Sequence, residues 1–261
     1  MRRRWRMRNA LAIAGKELRS YFASPIGWVI CGLFSLIFGW FFYTYVEFFL
    51  TQSLRQLAGG TGQPMNINMS LIRPLFSNAT VIVLFVLPSI TMRTYSEEKR
   101  SGTIELLLTS PLTDWEIIVG KFLGAMGLYA TMLIATLLYM GVLFAYGQPE
   151  WKPLVAGYLG LLLIGGSFIS MGLFISSLTK NQIVAGVGTF VAGLMFWIIN
   201  WASDNASPTV ATVLNYLSIT QHFDDFAKGV IATDHVIYYL SFIAFGLFLT
   251  SKSVDSERWR G

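Results

Sequence analysis

Residues Met92–Lys121 read MRTYSEEKRSGTIELLLTSPLTDWEIIVGK. This interval carries nine charged side chains, Arg93, Glu97, Glu98, Lys99, Arg100, Glu105, Asp114, Glu116 and Lys121, between two strongly apolar runs. That contrast decides the fold. A chain that crosses a bilayer keeps its charges between its spans, because a charge in hydrocarbon is costly. The whole composition agrees. Of 261 residues 54% are hydrophobic and 13% charged, where a soluble domain has about 25% charged. The fold class expected is an all-α polytopic membrane protein.

Working outward, the apolar run before the interval, 75–92, is one span, short and carrying Pro88, which removes a helix hydrogen bond. After the interval, Pro111, Leu112 and Thr113 restart a helix. Thr113 with Glu116 fits a capping box, and Leu112 with Ile117 a hydrophobic staple. That helix leads into the span 122–146, where Gly120 and Gly124 have the spacing of a close helix contact. Four further runs, 26–50, 154–178, 183–201 and 236–250, bring the total to six spans within one domain, 1–261. Residues 51–74 read as a polar loop, and 202–234 as short amphipathic helices at the far interface. There Ser207-Pro208 reads as a cap followed by a first helical residue, Asp234 as the cap of the sixth span, and Phe223, Phe226 and Val230 share one face against Asp224, Asp225 and Lys228. Residues 1–25 form a basic amphipathic helix with Met7, Leu11, Ala14 and Leu18 on one stripe, ended by Ser24-Pro25 and expected to lie flat on the lipid surface. The start lacks the short apolar core of a cleaved signal.

Six spans put both termini on one side. Fifteen Lys and Arg fall on that side, while Arg55, Arg73, Lys152 and Lys228 fall on the other. This bias makes the termini and the interval 93–121 cytoplasmic. The net charge of +5 fits anionic lipid, not nucleic acid.

The chemistry is sparse. No Gly-x-x-x-x-Gly-Lys-Ser/Thr loop, Gly-x-Ser-x-Gly elbow or His-Glu-x-x-His helix occurs. Cys31 is the sole cysteine. No catalytic residue, cofactor site or metal site is expected in this chain; His222 with Asp225 has helical spacing, and an interfacial histidine is the preferred reading. The cytoplasmic interval is the one structured element offered to water. Gly102 permits a bend and Thr103 can cap a short helix carrying Ile104, Leu106, Leu107 and Leu108, stopped by Pro111. Burying each aliphatic chain contributes about 1.5–3 kcal/mol. Either a partner's groove covers them or the helix lies back on the membrane.

The run Glu97-Glu98-Lys99-Arg100-Ser101-Gly102-Thr103-Ile104-Glu105-Leu106-Leu107-Leu108-Thr109-Ser110-Pro111, followed by Gly120-Lys121, resembles the cytoplasmic signature of ABC-2 type transporter permeases. Lys16-Glu17-Leu18, Tyr21-Phe22, Ser24-Pro25-Ile26, the run 176–182 and His222-Phe223-x-x-Phe226 are similar to the branch typified by the gliding-motility permease subunit. The resemblance implies an ATPase-coupling element at Glu97, Glu98, Gly102–Leu108 and Pro111, with a coupling helix at 103–110. It implies a connecting helix with Lys16, Glu17 and Arg19, and outer re-entrant helices whose gate includes His222, Phe223 and Phe226. The partners it implies are separate ABC ATPase subunits holding ATP and Mg, a second copy of this chain or a related permease, and a membrane-anchored protein with an extracytoplasmic domain. The function implied is the permease subunit of an exporter. Its rivals are a membrane scaffold that transmits ATPase work without moving substrate, and an intramembrane enzyme, for which the spans supply no convergent nucleophile, base or metal ligands.

Overall fold

A computed structural model describes residues 2–58, 66–104 and 111–258. Among them the ordered elements are all helical. In chain order they are α1 (Arg2–Ala23), α2 (Pro25–Leu57), α3 (Arg73–Thr91), α4 (Ser96–Ser101), α5 (Asp114–Tyr146), α6 (Trp151–Leu178), α7 (Gln182–Ile198), α8 (Pro208–Leu217), α9 (Ile219–Ala227) and α10 (Thr233–Arg258). A π turn, Asn68–Ile72, leads into α3, and a 3-10 turn, Ile199–Asn205, follows α7. Six helical stretches are long and apolar enough to cross a membrane: Pro25–Leu57, Asn68–Ser101, Asp114–Tyr146, Trp151–Leu178, Gln182–Ser203 and Thr233–Glu257.

The helices outrun the apolar windows. The polar interval 51–74 contains the end of α2, the π turn and the start of α3. Hydropathy marks where lipid contact ends, and a helix continues past that point as long as its backbone bonds are kept. Helix starts were more legible. The Ser24 side chain accepts from Ile26 N at 3.3 Å, with Pro25 in the first turn. Glu116 Oε2 accepts from Thr113 N at 2.7 Å and from Thr113 Oγ1 at 2.9 Å. Ser207 precedes Pro208 at the start of α8 but makes no side-chain cap bond. Asp234 lies in the first turn of α10 and does not cap it, because the helix already begins at Thr233.

Two helices form the centre. The apolar windows of α3 and α6 are 67% and 72% buried, against 22% for α2 and 17% for α7. Leu161, Ile164, Phe168, Ile169 and Leu173 of α6 pack among Phe76, Val83, Leu87 and Ile90 of α3 in one continuous core. Around this pair, α7 and α10 lie against α6, while α2 lies between α3 and α5. Close approach depends on small residues, as expected where lipid tails compete for the same apolar surface. Gly165 of α6 leaves room for the Tyr129 ring of α5, whose hydroxyl donates to Leu161 O at 2.8 Å. The outer faces of the peripheral helices, such as Leu36 and Trp40 on α2 and Val187 and Met195 on α7, are exposed apolar surface.

Candidate functional site

The charged interval is wired into the base of the bundle. Residues 92–95 form a turn between α3 and α4, so α4 does not simply prolong the second span. The cause is a single hydroxyl. Ser176 Oγ, near the end of α6, accepts from the backbone N–H of Tyr95 and of Ser96, each at 3.1 Å, and donates to Met92 O at 3.2 Å. The backbone groups freed by the break are thus satisfied inside the protein.

Lys121 forms the second anchor. It lies on the core stripe of α5 with Ile117, Ala125 and Leu128, and its side chain is 2% exposed. Its ammonium donates to Glu98 Oε1 of α4 at 2.6 Å, to Thr94 O at 3.0 Å and to Glu17 Oε1 of α1 at 3.1 Å. It also stands 5.2 Å from the centre of the Tyr95 ring. An ammonium has three protons, and all three are used. Burial, reinforced by the Glu98 and Glu17 carboxylates, pushes the Tyr95 phenol well above its usual pKa. Burial and then Glu17 push Tyr21 up to about 12. Both phenols stay neutral at physiological pH. A third anchor joins Lys99 of α4, 4% exposed, to Glu257 of α10 at 2.7 Å.

Helix α1 reaches this node by lying along the first turns of α5. A Cβ added to Gly120 would stand 2.7 Å from Ile13 Cβ, and one added to Gly124 would stand 2.6 Å from Glu17 Cβ. The side of α1 that meets the protein therefore carries Ala10, Ile13 and Glu17, while Met7 and Leu11 of the apolar stripe stay exposed. Asn9 Nδ2 adds a bond to Glu116 Oε1 at 3.3 Å.

Of the residues singled out in the sequence, Glu17 and Glu98 meet at Lys121. Lys16, Arg19 and Glu97 are exposed. Gly102 ends α4 with φ of 72°, a left-handed conformation that glycine adopts freely. Thr103 is exposed, Ile104 is buried and Pro111 is exposed. Glu105, Leu106, Leu107 and Leu108 lie outside the described residues. Lys121, Ser176, Lys99 and Glu257 received no such role from the sequence reading. One signal was available: Lys121 is a cation in register with an apolar helical face, and such a residue needs buried partners.

On the opposite face, His222, Phe223 and Phe226 are buried on α9. Phe226 packs against α6 at Gly160, and Arg73 near the start of α3 pairs with Asp224 at 3.2 Å. Val230 does not share the buried face as its spacing implied; Gly229, with φ of 88°, ends the helical path and Val230 is 51% exposed. The two histidines touch, Nδ1 to Nδ1, at 2.7 Å. His222 Nε2 faces Tyr216 O at 2.9 Å, and His235 Nε2 faces Asp225 Oδ2 at 2.9 Å. Both outer partners are acceptors, so both Nε2 atoms donate, and the two Nδ1 atoms face each other. Burial, then the His235 charge, holds the His222 pKa below its usual value. The Asp225 carboxyl has its pKa lowered by its bond to His235 and by Lys228. All four ring nitrogens have protein partners, and among the described residues no cluster of three or more His, Cys, Asp or Glu is placed to hold a metal.

Six apolar helices tied at one end by a buried ionic node define a multi-pass membrane protein. The ABC-2 family transporter protein profile matches residues 11–252, and the chain belongs to that family. The probable multidrug ABC transporter permease YbhR of Escherichia coli K12, and that of strain O157:H7, are each 28% identical over 166 residues. The match covers 63% of this chain and 44% of the relative, so the chain spans less than half the length of these curated relatives.

Proposed function

We propose that the chain is the membrane subunit of an ATP-driven exporter and that a separate ABC ATPase, with its own ATP and Mg, docks on residues 103–110. The observation carrying this reading is the wiring of the segment immediately before them. Ser176, Lys121 and Glu257 tie 93–101 to α6, α5 and α10. A push on Gly102 and beyond would reach three spans through short, buried polar contacts. Similarity to a probable multidrug permease supports export as the direction. The gliding-motility-like branch rests on the runs near Lys16, Ser176 and His222.

In this reading the termini and α4 face the cytoplasm of a bacterial inner membrane, as the positive-inside bias supports. Two copies, or this chain and a related permease, flank the pathway. α1 acts as the connecting helix and α8–α9 as the outer gate, with His222, Phe223 and Phe226 at its base. Leu107→Asp tests the docking element. Placing a carboxylate among the docking leucines should abolish co-purification with the ABC ATPase that the wild-type chain recovers, while membrane insertion and yield stay normal. Wild-type recovery of the ATPase would refute the assignment.

A further inference from the structure

Beside the Lys121 node lies a cavity of about 350 Å³ at the α4 end of α2 and α3. Lys16 and Ser20 of α1, Ser89 and Arg93 at the end of α3, and Glu97 and Glu98 of α4 wall it. Its charges are only partly satisfied. Lys121 uses Glu17 and one oxygen of Glu98. Lys16, Arg93 and Glu97 have no ion pair among the described residues. Two buried atoms, Arg93 Nε and Glu98 Oε2, have no hydrogen-bond partner. One is a donor on a cation and the other an acceptor on an anion, and both belong to residues lining one cavity.

The cavity borders a second space. An apolar groove of about 310 Å³ runs between α2 and α3 and shares Ile30 and Ser89 with it. Ile30, Leu33, Ile37 and Phe41 form its α2 wall, facing Ile82 and Phe85 of α3. Ile30 to Phe41 spans about 16 Å at the helical rise. That is close to half of a bilayer core of about 30 Å, the depth of one leaflet. A polar chamber with unpaired charge of both signs, opening onto an apolar slot one leaflet deep, has the chemistry of a phospholipid.

We propose that the chamber and groove together bind one phospholipid bearing a primary ammonium, from the leaflet that meets the α4 face. Its phosphate sits against Arg93 and Lys16, its ammonium against the exposed Glu97 carboxylate, and one acyl chain in the α2–α3 groove. Guanidinium matches phosphate oxygens in geometry and charge. A primary ammonium brings charged N–H donors to the Glu97 carboxylate on the cavity wall, which a choline group lacks and a glycerol head group supplies without charge. The lipid would touch the residues that carry Lys121's partners. This binding does not depend on any ATPase docking, so its test is independent of the transport reading.

The test uses the full chain in nanodiscs of equal phosphatidylethanolamine, phosphatidylglycerol and phosphatidylcholine. After detergent stripping, native mass spectrometry counts the lipid retained. One phosphatidylethanolamine per chain should remain, held about tenfold better than either competitor, the size of one charge-assisted hydrogen bond. Arg93→Gln should weaken retention about tenfold through the head group. Ile37→Trp should do so by filling the groove, without touching a charge. Lys152→Gln, at the other end of α6, should leave retention unchanged. Equal retention of the three lipids, or wild-type retention in Ile37→Trp or in a folded Arg93→Gln, overturns the proposal.

Discussion

Replacing Lys121 by Met tests whether the buried cation holds the cytoplasmic face together. Met keeps most of the side-chain volume, so the change isolates charge from packing. Lys121 is 2% exposed, and its carboxylate partners Glu17 and Glu98 are only 17% and 20% exposed, so solvent screens this pair weakly. Removing one partner of a buried ion pair costs about 3–5 kcal/mol, because the other charge is stranded. Here two carboxylates would be left facing one gap, and Thr94 O would lose its donor. The loss should reach that range in equilibrium unfolding of the purified chain in mixed micelles. Hydrogen exchange should rise over 93–104 and along the start of α5. Adding Glu98→Gln to Lys121→Met removes one stranded charge and should restore about 1.5–3 kcal/mol, the range of one charged hydrogen bond. A loss below about 1 kcal/mol, the value of a solvated surface pair, or no recovery in the double variant, would refute the node.

Gly124→Leu should detach α1, since a Cβ there already meets Glu17 Cβ at 2.6 Å; protease accessibility of residues 7–22 should rise with α5 intact, and unchanged accessibility would count against the packing. Acidification should loosen the α9–α10 contact. His222 has a pKa held below its usual 6.5, so the stability it contributes is complete above that value and is lost as pH falls below it; the lowered Asp225 pKa adds the same sign further into acid, below 3.8. A proton added to His222 would place a charge in a largely buried site 2.7 Å from the His235 ring, within a cluster that also holds Asp225, Asp234, Tyr216, Tyr238 and Tyr239. Exchange across 216–238, corrected for intrinsic rate, should increase between about pH 7.5 and about pH 5, and a flat profile would count against a stabilising neutral His222. Ser176→Ala should free the Tyr95 and Ser96 amides and cost about 1–3 kcal/mol for the buried donors left unpaired, read as faster exchange at those two amides; protection equal to wild type would remove Ser176 as the anchor.

The spans were legible because hydrocarbon demands long apolar runs, and that demand leaves a local trace in the sequence. Capping was legible at Thr113 for the same reason: donor and acceptor lie within a turn of each other. The ionic node was not. Glu17, Glu98 and Lys121 are separated by 104 and 23 residues in their contacts, and nothing local tells Lys121 from the exposed cations around it except its register on α5. Ser176 was noticed only as part of a resembling run. Its task, ending α3 and redirecting the chain into α4, depends on an approach of α6 that no short window records. His235 stayed hidden because a histidine just before the predicted span 236–250 reads as a boundary residue, whereas its partner His222 lies on another helix.

These long-range contacts change how a push on the cytoplasmic interval would travel. From the sequence, α5 was the single lever, because it begins at Asp114, just past Pro111. The geometry supplies α4 with ties of its own. Lys99 leads to α10, Ser176 receives the turn ahead of α4, and Glu98 shares Lys121 with Glu17 of α1. An element held at three points transmits displacement to all of them together or not at all, since shifting one partner by 1 Å lengthens a 2.6–3.1 Å charged bond beyond its useful range. Tilting α5 alone would break the Lys121 contacts. Moving α1, α4, α5, the end of α6 and the end of α10 as one body would keep every contact and spend the motion at the less buried α2 and α7 surfaces. Coupling in this chain is therefore expected to be rigid-body at the α4 face and compliant at α2 and α7. If the proposed ATPase docking holds, cross-linking α4 to α6 should leave the driven motion intact, whereas cross-linking α2 to α3 within the chain should hinder it.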